Sequence, residues 1–146
     1  MDRLLAVVLT LLVGGLVAFQ PPANALLARH VGDLGAAFVS LVISTLIVGA
    51  LLVTVGDAVQ LQGLREFRLE YALGGIAGAA IVYVTIVTVR PLGAGGVAAA
   101  LVCAQLIVAA TIDRLGLLGL EESPLSASRL AGVALLIAGT LLLTTR

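Results

Sequence analysis

An all-α integral membrane protein with five transmembrane helices is the fold class this sequence predicts. Composition carries part of the argument. Of 146 residues, 61% are hydrophobic and 11% charged, and the mean hydropathy is +1.22. A soluble domain of this size would have too few polar side chains to cover its surface, so the bilayer is the solvent that suits it. Patterning carries the rest. The apolar residues fall into blocks close to the ~20 residues a helix needs to cross a hydrocarbon core of about 30 Å. No block alternates with a period of two, and lipid leaves only helices or closed barrels as spanning structures.

Charged clusters mark the boundaries, giving helices over about 4–28, 34–55, 71–89, 92–112 and 128–144, one transmembrane domain over 1–146. The first, "MDRLLAVVLTLLVGGLVAFQ", imitates a signal peptide. Its apolar run continues to about Ala28 with no soluble domain behind it, so it reads as a retained helix. "RHVGD" separates helices one and two, and "RPLG" separates three and four, as tight turns on one side. In the second, Pro91 is expected to push Arg90 out of the helical region and to start the next helix. The longer connections, "GDAVQLQGLREFRLE" and "DRLGLLGLEESPLSASR", lie on the other side with room for short interfacial helices. Ser123 and Ser126 flank Pro124 as caps for the last helix.

Net charge is zero, and all eight basic residues are arginine, dispersed among the acids. Without a basic cluster or a like-charge tail there is no footprint for nucleic acid. The single cysteine, Cys103, excludes an intrachain disulfide and reads as a packing residue. His30 lies in a turn beside Arg29 and Asp33 and reads as solvated rather than metal-bound. Neither a metal nor another cofactor is expected. Near the membrane, Arg3, Arg65, Arg68, Arg114 and Arg129 fall on the amino-terminal side, and Arg29, Arg90 and Arg146 on the other. Five against three leans towards a cytoplasmic amino terminus but specifies orientation weakly. The chain is therefore expected to insert both ways up, or to pair with an oppositely oriented partner.

The segment "AFQPPANAL" carries the chemistry. Pro21 and Pro22 lack N–H groups, so a helix break is expected there, leaving the carbonyls of Val17 and Ala18 in need of donors. Gln20 and Asn24 stand one helical turn apart on the same face and can bond either loose backbone or a solute. Transporters build substrate sites from broken helices at membrane depth, whereas the alternative use of such amides is interhelical glue. Gln105 is the other deep amide, and Tyr83, Thr85 and Thr88 could decorate a cavity wall. By helix rise, Gln20 lies about 12 Å from one side and Gln105 about 10 Å from the other, so opposed copies would bring them level. Asp113 and Arg114 read as a boundary ion pair, with a proton-coupling role for Asp113 as the lesser alternative. No acid or base lies well inside a span, which leaves no constellation for an enzyme. Gly74 and Gly78, then Gly95, Ala99 and Cys103, then Gly132 and Gly139, form small-residue stripes for close helix approach. Gly93, Gly95 and Gly96 lack the preceding strand and the spacing of a phosphate loop.

Together, "GGLVAFQPPANALLARHVG", "LGGIAGAAIVY", "PLGAGGVAAALVCAQLIVAATIDRLGLLG" and "SRLAGVALLIAGTLLL" resemble the YdcZ-like family of inner-membrane exporters, a five-helix branch of the drug/metabolite transporter superfamily. Ala104 and Arg114 stand where that family usually has glycine and histidine, and its tryptophan at the start of helix three is missing. The resemblance implies a half-unit of the ten-helix inverted-repeat bundle, resident in a bacterial inner membrane, with Gln20, Asn24, Gln105 and Asp113 as the positions to watch. The expected function is export of a small organic solute by alternating access, in an antiparallel homodimer or a heterodimer with a paralogous chain. A non-transporting assembly subunit and a passive channel are the competing readings.

Overall fold

The computed structural model describes residues 2–55, 68–116 and 126–145. Helix α1 covers Arg3–Thr54, α2 covers Leu73–Leu115 and α3 covers Ala127–Thr144, with a short 3₁₀ turn at Leu69–Ala72 before α2. All three helices are long and apolar enough to cross a membrane, and the described residues contain no strand. Large apolar side chains such as Leu11, Phe19 and Leu142 are more than 70% exposed. That inversion of the usual soluble pattern is what lipid-facing helices require.

Two of the helices are interrupted by single glycines. Gly32 in α1 has φ 76° and ψ 165°, and Gly93 in α2 has φ 68° and ψ 167°. An L side chain is all but excluded from that region of backbone space. Both glycines belong to the same local sequence, Arg-x-Val/Leu-Gly-x-x-Gly, at residues 29–35 and 90–96. The second glycine of each copy is also used alike. A Cβ on Gly35 would lie 3.1 Å from Val31 Cβ, and one on Gly96 would lie 3.1 Å from Leu92 Cβ. The residue after it is buried in each case, Ala36 fully and Val97 almost so. One turn device therefore occurs twice in the chain.

Gly32 falls within the expected turn "RHVGD" and Gly93 within "RPLG", while two other expectations are corrected. Pro21 and Pro22 lie within α1, and Gly32 is its one residue with non-helical dihedrals, so the expected break at the prolines is absent. A proline ring holds φ near −65°, a helical value; what it removes is a hydrogen bond, not the helical path. Arg90 likewise stays helical, and the interruption falls three residues later, at Gly93. Ser126 caps α3 by accepting from the Arg129 N–H at 3.2 Å, as expected. Ser123, Pro124 and most of the first long connection lie outside the described residues.

The chain divides into two compact units, Met1–Arg90 and Pro91–Arg146. In the first, residues equidistant from Gly32 meet, so residues 3–31 and 33–54 form an antiparallel hairpin. Asn24 reaches Ser40, and Ala28 and Ala36 share one buried cluster. Val82 and Ile86 complete that cluster with Ala37. Alanine at the contact lets three helical stretches approach closely, which is how helices gain packing energy in lipid. Thr85, buried beside them, spends its hydroxyl on the Val82 carbonyl at 3.1 Å. In the second unit, residues 94–115 run antiparallel to α3. Thr140 donates to the Ala99 carbonyl at 3.2 Å, and Gly96 faces the Thr144 methyl at 3.6 Å from its would-be Cβ. Asp113 meets Arg129 at the other end of the pair.

Candidate functional site

In the first unit, polarity concentrates on the hairpin. Asn24 sits eight residues before Gly32 and Ser40 eight after it, and the Asn24 Nδ2 donates to Ser40 Oγ at 3.1 Å, partly buried. At 1.5 Å per residue this pair lies about 12 Å below the turn. Gln20, one helical turn deeper at about 18 Å, is half-buried. Its side-chain amide has no hydrogen-bond partner among the described residues. Because the helix runs on to the Gly32 break, Gln20 is deeper than the 12 Å that a helix ending at Ala28 would give.

Ser40 is unusual among the helical hydroxyls. Thr10, Ser44, Thr45, Thr88, Thr111 and Thr144 each donate to the carbonyl four residues earlier in their own helix. Ser40 instead accepts from the facing arm, and its own proton has no acceptor among the described residues. In sequence it passes unnoticed because a serine within an apolar run normally back-bonds. The available signal was symmetry: Asn24 and Ser40 lie at equal distances from a glycine flanked by charged residues.

At the turn, Arg90 grips Asp33 with both terminal guanidinium nitrogens, at 3.2 Å and 2.5 Å. The pair is bidentate but partly solvated, with side chains 51% and 29% exposed. Asp33 and Arg90 neutralise each other, and Arg29, exposed at the same turn, stands outside that pair. Tyr83 is exposed and lies outside the Asn24–Ser40 contact. Thr88 bonds to the Val84 carbonyl of its own helix, so neither Thr85 nor Thr88 has its hydroxyl proton free to donate to a solute.

In the second unit, Gln105 is exposed and lies ten residues before the end of α2, about 15 Å by helix rise. Asp113 takes Arg129 of α3 as its partner at 3.4 Å, rather than its chain neighbour Arg114. Both belong to a groove of about 270 Å³ whose other walls are apolar, among them Leu106, Gly132 and Leu136. A single contact between half-exposed side chains is what a headgroup-level ion pair looks like, and its contribution is about 0–1 kcal/mol. Cys103 is half-buried and free. No cluster of three or more histidine, cysteine or carboxylate residues able to hold a metal occurs among the described residues.

The arrangement is thus two amides and a hydroxyl placed deep along apolar helices, with every described ion pair towards a helix end. It can exchange hydrogen bonds with a solute or with a neighbouring helix. No curated protein and no solved structure matches the chain. The family described as "Putative inner membrane exporter, YdcZ" matches residues 5–142, almost the whole chain, and the protein belongs to that family of multi-pass inner-membrane proteins.

Proposed function

We propose that the protein is a secondary exporter of a small organic solute, working by alternating access as an antiparallel dimer in a bacterial inner membrane. The observation that carries this reading is the deep polar group on the first hairpin: Asn24 bonded to Ser40, with the Gln20 amide one turn away and unpartnered among the described residues. Polar side chains at that depth are costly in lipid and, where their hydrogen-bonding capacity is left over, lean towards solute pathways. The breaks at Gly32 and Gly93 support a reading of five membrane crossings, since each helical stretch beside them has the length for one. Five crossings leave an incomplete enclosure, which a second copy of opposite orientation would close. In that pairing Gln20 of one copy and Gln105 of the other fall at similar depth. The partner is a second copy or a paralogous chain, lipid surrounds the assembly, and Asp113 takes at most a supporting role in ion coupling.

The test is uptake into proteoliposomes containing the purified protein. At least one tracer solute is expected to move saturably, and Gln20→Ala or Gln105→Ala to reduce that movement tenfold or more while the oligomer stays intact. If no tracer moves and both substitutions change stability alone, the polar group serves assembly. Steady single-channel current without saturation would instead identify a passive channel.

A further inference from the structure

We infer that the solute-contacting group of this exporter includes Ser40 and selects uncharged, hydrogen-bonding solutes; this deepens the proposed exporter reading and rests on it. Unused hydrogen-bonding valences on the hairpin define the group. Asn24 uses one amide hydrogen on Ser40 Oγ, which leaves its carbonyl oxygen and its second amide hydrogen free, and the Ser40 proton has no acceptor among the described residues. Gln20, one turn deeper on the same helix, offers a further acceptor and two donors. The hairpin therefore presents alternating donors and acceptors, the complement of a solute bearing hydroxyl or amide groups.

Charge excludes the other classes. Nearest along the helix in the first unit are Arg29 and His30, both exposed and about 8–9 Å from Asn24 towards the turn, with Asp33 and Arg90 bound to each other about 11 Å or more away. Arg29 and His30 lie at that same turn, and Arg90 is the sole ionisable group besides Tyr83 on the stretch of α2 that packs against the hairpin. Among the described residues of the first unit, no unpaired carboxylate meets a cation at the level of Ser40, and no guanidinium meets an anion. A bare charge brought to mid-membrane depth loses hydration far beyond what three neutral dipoles return. An uncharged polar solute needs only its hydrogen bonds replaced, which these side chains provide.

Thiol chemistry tests this selectivity with the solute still unidentified. In a Cys103→Ala background, Ser40→Cys and, separately, Gln20→Cys are reacted in reconstituted vesicles with three methanethiosulfonates of similar size. One carries a neutral hydroxyethyl group, one a trimethylammonium and one a sulfonate, and rates are normalised to those with a free thiol. The neutral reagent is expected to modify both positions at least tenfold faster than either charged one. Equal reaction with a charged reagent would overturn the selectivity while leaving the exporter reading intact, because the site would be wet but indifferent to charge. Failure of all three reagents at both positions, in protein that elutes as a single symmetric species, would mean dry packing and would overturn both.

Discussion

Asn24 and Ser40 make a bond whose worth depends on where it lies. In water such a contact competes with solvent; in lipid the alternative is an unsatisfied group or another partner, and measured couplings remain near 0.6 kcal/mol. A double-mutant cycle with Asn24→Ala and Ser40→Ala should therefore give a coupling of about 0.5–1.5 kcal/mol in detergent-resistant unfolding. Additivity would show that the two side chains do not meet. Gly32 presents a different kind of dependence, because its φ of 76° excludes a side chain even though open space surrounds the missing Cβ. Gly32→Ala should cost about 1–3 kcal/mol of backbone strain, and Gly93→Ala a similar amount, read as lowered thermal unfolding midpoints. Gly14→Ala, at a helical glycine with nothing within 4 Å, is the control and should be neutral or slightly stabilising. Gln20 and Asn24 were legible from sequence because an amide in an oily run stands out. Ser40 was not, since its role depends on an arm of chain sixteen residues away.

The hairpin as an element is set by small residues and one ion pair. Ala36 is fully buried against the stretch containing Val82 and Ile86, so Ala36→Leu should overpack the contact by about 1–3 kcal/mol. The Asp33–Arg90 pair joins the turn to the end of the α2 stretch beside it. Its partial exposure limits the contribution to about 1 kcal/mol, so Asp33→Asn should lower stability slightly, and the loss should shrink at high salt. A loss of several kcal/mol would mean that the pair is drier than its exposure indicates. At this scale the sequence announced the helices and the two short turns, with Gly32 inside "RHVGD" and Gly93 inside "RPLG", and misjudged the prolines. Prolines are conspicuous breakers by composition, yet Pro21 and Pro22 continue a helix whose dihedrals they already favour. The actual interruptions sit on glycines with positive φ, a backbone property no hydropathy window reports. The repeated Arg-x-Val/Leu-Gly-x-x-Gly was the visible trace, readable once two turns were compared rather than taken singly.

For the whole molecule, zero net charge and the five-to-three division of arginines expected of five crossings leave little to fix orientation during insertion. A reporter fused after Arg146 should accordingly be found on both sides of the membrane, or on one side with an oppositely oriented paralogue. Adding two arginines after Asp2 should shift the population towards a cytoplasmic amino terminus. Membrane class and family were legible from composition, span lengths and the quoted motifs together. Solute and assembly were not, because both depend on which faces meet across chains, a property distributed over many weakly informative positions. The measurement that reaches the central claim most directly is solute counterflow: proteoliposomes preloaded with an unlabelled solute receive the same solute as external tracer. An alternating-access exporter gives a transient overshoot of tracer above its equilibrium level, lost in Gln20→Ala protein that still assembles. Tracer that only relaxes to equilibrium, or that ignores the protein altogether across charged and uncharged solutes, would contradict that claim.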